Sequence, residues 1–139
     1  MVVLSSCHAA SLSRAAEEPV GVATAVLVGG AKAVVAPLWE VDEFATLLFF
    51  KHFYTEIALP QSKMLSEVVR NAQIALRSMH ACDVLIELEQ IVYVRESQSI
   101  RRYIEYIRQV EEKSNKPYSD PFFWSAFVVI GSDVQLPAY

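Results

Sequence analysis

Cysteine is scarce: only Cys7 and Cys82 occur in the 139 residues, far apart and with no secretory signal ahead of them. That spacing excludes a disulfide framework and a cysteine-based zinc site, and makes a reducing, cytoplasmic setting the default. Basic charge is in deficit, with 12 lysines and arginines against 16 aspartates and glutamates and a formal net charge of −4. No general attraction to nucleic acid or to an anionic membrane follows, so neither is expected as a partner. Glycine is also sparse, at four residues. Gly29-Gly30 lacks both the glycine spacing and the strand-to-helix order of a phosphate-binding loop, and no metal or other cofactor is called for. Finally, no uninterrupted membrane span is present: the most apolar stretch, Pro19 to Trp39, is broken by Gly29-Gly30, Lys32 and Pro37.

What is abundant is apolar side chain, at 53% of residues against 20% charged, which suits a single globular domain over residues 1–139 with a sizeable core. The first ten residues set its organisation. Met1 to Leu4 form an apolar run that stops at Ser5, Ser6, Cys7 and His8. A buried strand ending this way presents a thiol at a sheet edge, where the carboxyl ends of strands in open α/β sheets gather reactive groups. The plainer reading of Cys7 is a small buried residue closing a core strand.

Residues 9–18 read as a loop, and Glu17-Glu18-Pro19 marks a helix start, because carboxylates and a first-turn proline both suit the positive end of the helix dipole. The helix is expected to reach about Val28, with Val20, Ala23, Thr24 and Leu27 on one face and Gly21 allowing close approach to a sheet. Residues 31–38 are apolar and rich in valine, as in a strand covered on both faces, with hydrogen bonding stopping near Pro37. Strand, helix and strand make a right-handed parallel βαβ unit. Cys7 and the acidic segment Glu40 to Glu43 then leave the sheet at the same edge.

Asp42 is placed to cap a helix over about 43–58, whose bulky positions Phe44, Leu47, Leu48, Phe50, Phe53, Tyr54 and Ile57 cover a wide arc. After Leu59-Pro60-Gln61-Ser62 a third helix runs from about Lys63 to Met79. Leu65, Val68, Val69, Ala72, Leu76 and Met79 form its apolar face, while Lys63, Glu67, Arg70 and Arg77 face water. Residues 80–117 read as a helical hairpin, with Val84, Leu85, Leu88, Ile91 and Val92 on one arm and Ile100, Tyr103, Ile104, Ile107 and Val110 on the other. The charges of the second arm, among them Arg101, Arg102, Glu105 and Arg108, fit a solvated face better than a docking surface. Lys116 to Pro121 is a break, Phe122 to Gly131 a last buried strand, and Ser132 to Tyr139 a tail.

Several segments together resemble the C-terminal part of a CHAT domain, a caspase-like cysteine peptidase family related to separases and often attached to tetratricopeptide repeats. Val2-Val3-Leu4-Ser5-Ser6-Cys7 is similar to the family's apolar strand ending in Ser-Ala-Cys. Gly30-Ala31-Lys32-Ala33-Val34-Val35 resembles its Gly-Ala turn and strand, and Leu38-Trp39-Glu40-Val41-Asp42 its Leu-Trp-x-Val-Asp signature. Ala72 to Arg77 and Pro121 to Gly131 are similar to its later segments. The resemblance implies an α/β fold, the C-terminal part of a caspase-like three-layer sandwich with a mainly parallel sheet; the 80–117 helical hairpin departs from the family pattern as an insertion longer than the usual connection. It implies a thiol endopeptidase acting on a protein or peptide, with Cys7 as nucleophile and backbone N–H groups as oxyanion hole. It also makes Glu40, Asp42 and Glu43 candidates for reading a basic substrate side chain, with capping as the plainer role of Asp42.

The family's catalytic histidine sits on a His-Gly turn after a preceding strand, a segment expected ahead of Met1 or on a partner chain. His8 adjoins Cys7 and points to the opposite face of an extended strand. His52 and His80 are expected at the surface. Without that histidine the chain alone is expected to be inactive. The alternative is a non-catalytic interaction module that keeps the fold, uses the hairpin or an exposed sheet edge to bind a partner, and forms oligomers.

Overall fold

The run of small and β-branched residues after Lys32 forms the strand that the rest of the chain covers. The computed structural model describes residues 1–4, 21–90, 98–111 and 115–138. Its elements are β1 (Val2–Val3), α1 (Val22–Val28), β2 (Ala33–Pro37), α2 (Glu43–Ile57), β3 (Lys63–Met64), α3 (Leu65–Ser78), α4 (Ala81–Gln90), α5 (Gln98–Glu111), α6 (Pro121–Trp124), β4 (Phe127–Gly131) and β5 (Gln135–Leu136). The class is mixed α/β.

All five residues of β2 are buried. It is the middle strand of a sheet in the order β1-β2-β4. β1 runs parallel to it, with Val2 opposite Val34 and Val3 opposite Val35, and β4 antiparallel, from Ala33 opposite Gly131 to Pro37 opposite Phe127. The expected mainly parallel sheet is therefore a mixed one. The reason lies in the connections: α1 separates β1 from β2 as a parallel crossover needs, whereas the chain returns to β4 from the opposite end. Pro37 closes the pairing as expected, because it has no N–H to donate, and one further bond runs from Leu38 N–H to the Ala126 carbonyl at 2.9 Å.

Side chains of β2 alternate between two apolar clusters. Val34 and Ala36 pack with Ala23, Val26 and Leu27 of α1 and with Val2, Leu4 and Ile130. Ala33 and Val35 face the larger core of α2 and α3, where Phe49 stacks on Phe127 with ring centroids 3.7 Å apart. The period of two along an extended chain produces this division.

The helices match their apolar patterns with local differences. On α1 the sheet-facing set is Ala23, Val26 and Leu27, and Thr24 is exposed. Gly21 serves as its N-cap, with extended backbone, while the start expected at Glu17-Glu18-Pro19 and the face position Val20 lie outside the described residues. At the other end, Gly30 N–H and Ala31 N–H close back on the Leu27 and Val26 carbonyls, with Gly30 at φ 98°, a left-handed helix stop. On α2, Leu47 and Tyr54 are exposed, whereas Phe49 is fully buried. Every predicted apolar position of α3 is buried. Lys63, expected in water, is instead mostly covered and ion-pairs with Glu56 of α2 at 2.6 Å. Asn71 donates to the same carboxylate oxygen at 3.0 Å. The Lys63 contact first, then Asn71, holds the Glu56 carboxyl below the usual range.

In the segment expected as a hairpin, α4 packs on α5, with Ala81, Val84, Leu88 and Ile107 buried. Ile91, Val92 and the side chains of Ile100 and Val110 lie outside the described residues. The closing segment differs from expectation. Phe122 does not begin a strand, because Asp120 accepts from Phe122 N–H at 2.8 Å and Pro121 opens a helical turn, so the strand starts only at Phe127. Nor is the end of the chain a simple tail: β5 pairs antiparallel with β3, and Asp133 caps α3 through Ser66 N–H at 2.9 Å and Ser66 Oγ at 2.6 Å. Among the described residues no helix is long and apolar enough to cross a membrane.

Gly131 ends β4 at φ 101°, and a Cβ there would lie 2.7 Å from the Lys32 carbonyl oxygen and 3.0 Å from the Leu27 side chain. Gly30 has a similar φ but open space around it. Gly131→Ala is expected to cost about 1–3 kcal/mol from backbone strain, with the backbone clash in addition, and to exceed the cost of Gly30→Ala. Urea unfolding of both variants checks this, and equal losses would count against the tight β4–α1 approach.

Candidate functional site

Because β1 and β2 are parallel, their carboxyl ends lie at one edge of the sheet, and Leu4 N–H still bonds the Val35 carbonyl at 2.9 Å as β1 leaves it. Cys7 and His8 lie outside the described residues. The described part of this edge is the chain leaving β2, from Leu38 to Glu43.

There the side chains divide sharply. Val41 is buried in the main core, while Glu40 and Glu43 are exposed and Asp42 is partly covered. Trp39 turns its indole N–H to the Phe122 carbonyl at 2.9 Å and sets its ring 6.3 Å from that of Phe122. Leu38 and Phe122 are both about half exposed, so the acidic segment adjoins an apolar aromatic surface.

Asp42 is the fixed point of the segment. Its Oδ1 accepts from Phe44 N–H at 3.0 Å and Ala45 N–H at 2.9 Å, which makes it the N-cap of α2 as its sequence position predicts. The same oxygen accepts from the Tyr103 hydroxyl of α5 at 3.2 Å. Tyr103 Oη also lies 2.6 Å from the hydroxyl of Tyr118, which is 1% exposed, and the Tyr103 ring stacks on Phe44 at 4.0 Å. Tyr103 falls on the predicted apolar face of its arm, and Tyr118 in the predicted break. A tyrosine inside an otherwise polar turn is the available signal, since its ring must bury and its hydroxyl must then find a partner.

The other histidines and the second thiol are placed elsewhere. His52, expected at the surface, is half-buried on α2 with Nε2 3.6 Å from Glu87 Oε2 of α4, an oxygen that also lies 3.1 Å from Lys51 Nζ. His80 precedes α4, its backbone N–H 3.3 Å from Asp83 Oδ2. Cys82 is an exposed free thiol. A cleft of about 460 Å³ opens beside this group, lined by Lys51, Ser78, Met79, Asp83, Ile86 and Glu87 among others, none of them in the strand-end segment. Among the described residues no set of three or more histidine, cysteine or acidic side chains converges as a metal site would require. Gly29-Gly30 closes a helix rather than opening one, so it offers carbonyls where a phosphate would need N–H groups.

Burial above all, then the nearby Tyr118 hydroxyl and Asp42 carboxylate, pushes the Tyr103 phenol far above its ordinary value. Burial likewise raises Tyr118, against a smaller opposing effect of its bond to Tyr103. Both phenols therefore hold their protons more tightly folded than unfolded. Their stabilising contribution is full below the unfolded tyrosine value of about 10 and is lost as pH rises above it. Urea unfolding between pH 8 and pH 11 is expected to show stability falling above about pH 10, with a shallower fall when Tyr103 and Tyr118 are both phenylalanine. An identical slope in that double variant would refute the assignment.

The family model for the CHAT domain matches residues 1–132, from β1 through the acidic segment, the hairpin and β4. Neither the curated proteins nor the solved structures give a match to the chain. With 132 of its 139 residues accounted for, the chain belongs to the CHAT domain family.

Proposed function

We propose that the chain is the C-terminal part or a subunit of a caspase-like cysteine endopeptidase, with Cys7 as nucleophile. The observation that carries this reading is the family match itself, which spans both the strand leading to Cys7 and the acidic strand end at Glu40 to Glu43. The parallel pairing of β1 and β2 supports it, because it brings both strand ends to one edge. In this mechanism the Cys7 thiolate attacks the scissile carbonyl carbon, and the leaving amine takes the proton that a histidine removed from the thiol. Water then hydrolyses the acyl-enzyme. The histidine is assigned to an upstream region or a partner chain, because the family's His-Gly turn belongs to a strand ahead of the one that leads to Cys7; His52 faces Glu87 of α4 instead. Glu40, Asp42 and Glu43 form the pocket for a basic substrate side chain, in a caspase-like three-layer sandwich. An exposed free thiol at Cys82 suits a reducing cytoplasm.

A second reading, a non-catalytic interaction module, is favoured by the sheet edge: β1 has a strand partner on one side only among the described residues. An unpaired edge can add a strand from a partner or a second copy.

An electrophilic thiol probe separates the two. With the upstream region supplied, Cys7 is expected to label at least tenfold faster than Cys82, following the thiolate fraction that an adjacent imidazole sustains. Labelling no faster than Cys82, together with concentration-dependent self-association, would instead favour the interaction module.

A further inference from the structure

The outer faces of α3 and α4 leave two isoleucines in water, Ile74 at 50% and Ile86 at 55% exposed. Each sits between polar residues on one helical stripe. On α3 the stripe is Arg70, Ile74 and Arg77, all exposed. On α4 it is Asp83, Ile86 and Gln90, also exposed, and these three line the cleft of about 460 Å³ between α4 and the last turn of α3.

The charges on these stripes are not neutralised inside the molecule. Arg70 and Arg77 form no ion pair among the described residues, although Arg77 lies over the Trp124 ring at 5.5 Å. Glu67, one turn before Arg70, accepts from Met64 N–H at 2.9 Å and so belongs to the start of its own helix. In the cleft, Glu87 lies 3.1 Å from Lys51 Nζ, whereas Asp83 has one long bond, 3.3 Å from His80 N–H, and no cation beside it among the described residues. Asp83 is therefore the uncompensated charge of the cleft.

The two stripes also match in spacing. Relative to its isoleucine, α3 carries Arg70 four positions before and Arg77 three after, while α4 carries Asp83 three before and Gln90 four after. Laid antiparallel with Ile74 on Ile86, they put Arg77 opposite Asp83 and Arg70 opposite Gln90, because both helices rise equally per residue. A parallel arrangement puts both pairs out of step. One chain carries both stripes on consecutive helices, so a two-fold axis satisfies them twice.

We propose that the α3–α4 surface is a self-association surface, in which a second copy of this chain sets its Arg70, Ile74 and Arg77 against Asp83, Ile86 and Gln90 and receives the same contact in return. It is separate from the β1 edge and from the strand-end segment, so it stands whether or not the chain is a peptidase. Its small apolar centre makes the association weak and transient.

Sedimentation velocity of the full-length protein across micromolar concentrations tests this. The wild type is expected to pass from monomer to dimer, and the dimer to weaken as salt is raised. Arg77→Glu and Asp83→Arg each set like charges against each other at both contacts, so each variant alone is expected to associate at least about tenfold more weakly. Mixing the two variants gives one native and one reversed charge pair, and the mixture is expected to regain the dimer. A structural defect in either variant, such as loss of the Trp124 contact, would persist in the mixture and give no rescue. Ile74→Ser, at an exposed position, is expected to weaken the dimer as well. A wild type that stays monomeric overturns the proposal. Single variants that associate like the wild type overturn it too, and assign self-association to the β1 edge instead. A mixture of folded variants without rescue does the same, and so does unchanged association of Ile74→Ser, even if a charge-reversed variant does not fold.

Discussion

The structure depends on one strand being buried on both faces. β2 carries no charge, and its five side chains lie inside, so every neighbouring element is placed by the need to cover it. Val34 and Ala36 call for α1, while Ala33 and Val35 call for the aromatic core around Phe49 and Phe127. Burying each large side chain of this kind is worth about 1.5–3 kcal/mol relative to exposure. A polar residue in β2 would lose that gain and also leave a group without water. The same constraint explains why its carboxyl end is the first point at which polar chemistry can appear: Trp39 to Glu43 follow directly on the last buried pair.

At that end Asp42 connects three parts of the chain through one oxygen. Its bonds to Phe44 and Ala45 begin α2, and the bond from Tyr103 fastens α5 of the hairpin to the same place. A helix start leaves amide hydrogens without intrahelical partners, so a cap was required there in any case. The tyrosine pair adds buried hydroxyls that would themselves be costly if left unsatisfied. The hairpin is thereby joined to the strand end by hydrogen bonds whose loss would be felt in both.

Much of this was legible because it rests on local rules. The apolar faces of α3 and α4, the Asp42 cap and the buried strand near Val34 all follow from periodicity or capping chemistry, which act over a few residues. Thr24 and Tyr54 were misplaced because a helical face leaves the arc's edges to be decided by what packs against it. The antiparallel direction of β4, the β3–β5 pair and the Asp133 cap on α3 join residues more than 60 positions apart, for which neither periodicity nor turn chemistry carries a signal. At the candidate site the acidic residues were visible as types, and the Tyr103–Asp42 bond was not, because its partners are 61 positions apart.

The placement of the described histidines bears on how a thiol in this fold could react. An ordinary cysteine with a value near 8.5 is only about 3% thiolate at pH 7, so the gain available from an imidazole partner is large. His52 faces Glu87, an acceptor that Lys51 also approaches, and His80 opens α4 with its backbone. Moving His52 toward the strand end would remove it from the contact between α2 and α4 and leave Glu87 beside Lys51 alone. Leu88 and Val84 of α4 lie in the same buried core as Phe44, Phe49, Phe50 and Phe53 of α2, so the helix that carries His52 is fixed by that core. A base delivered by another segment would leave that packing as it is, which is the arrangement the peptidase reading proposes.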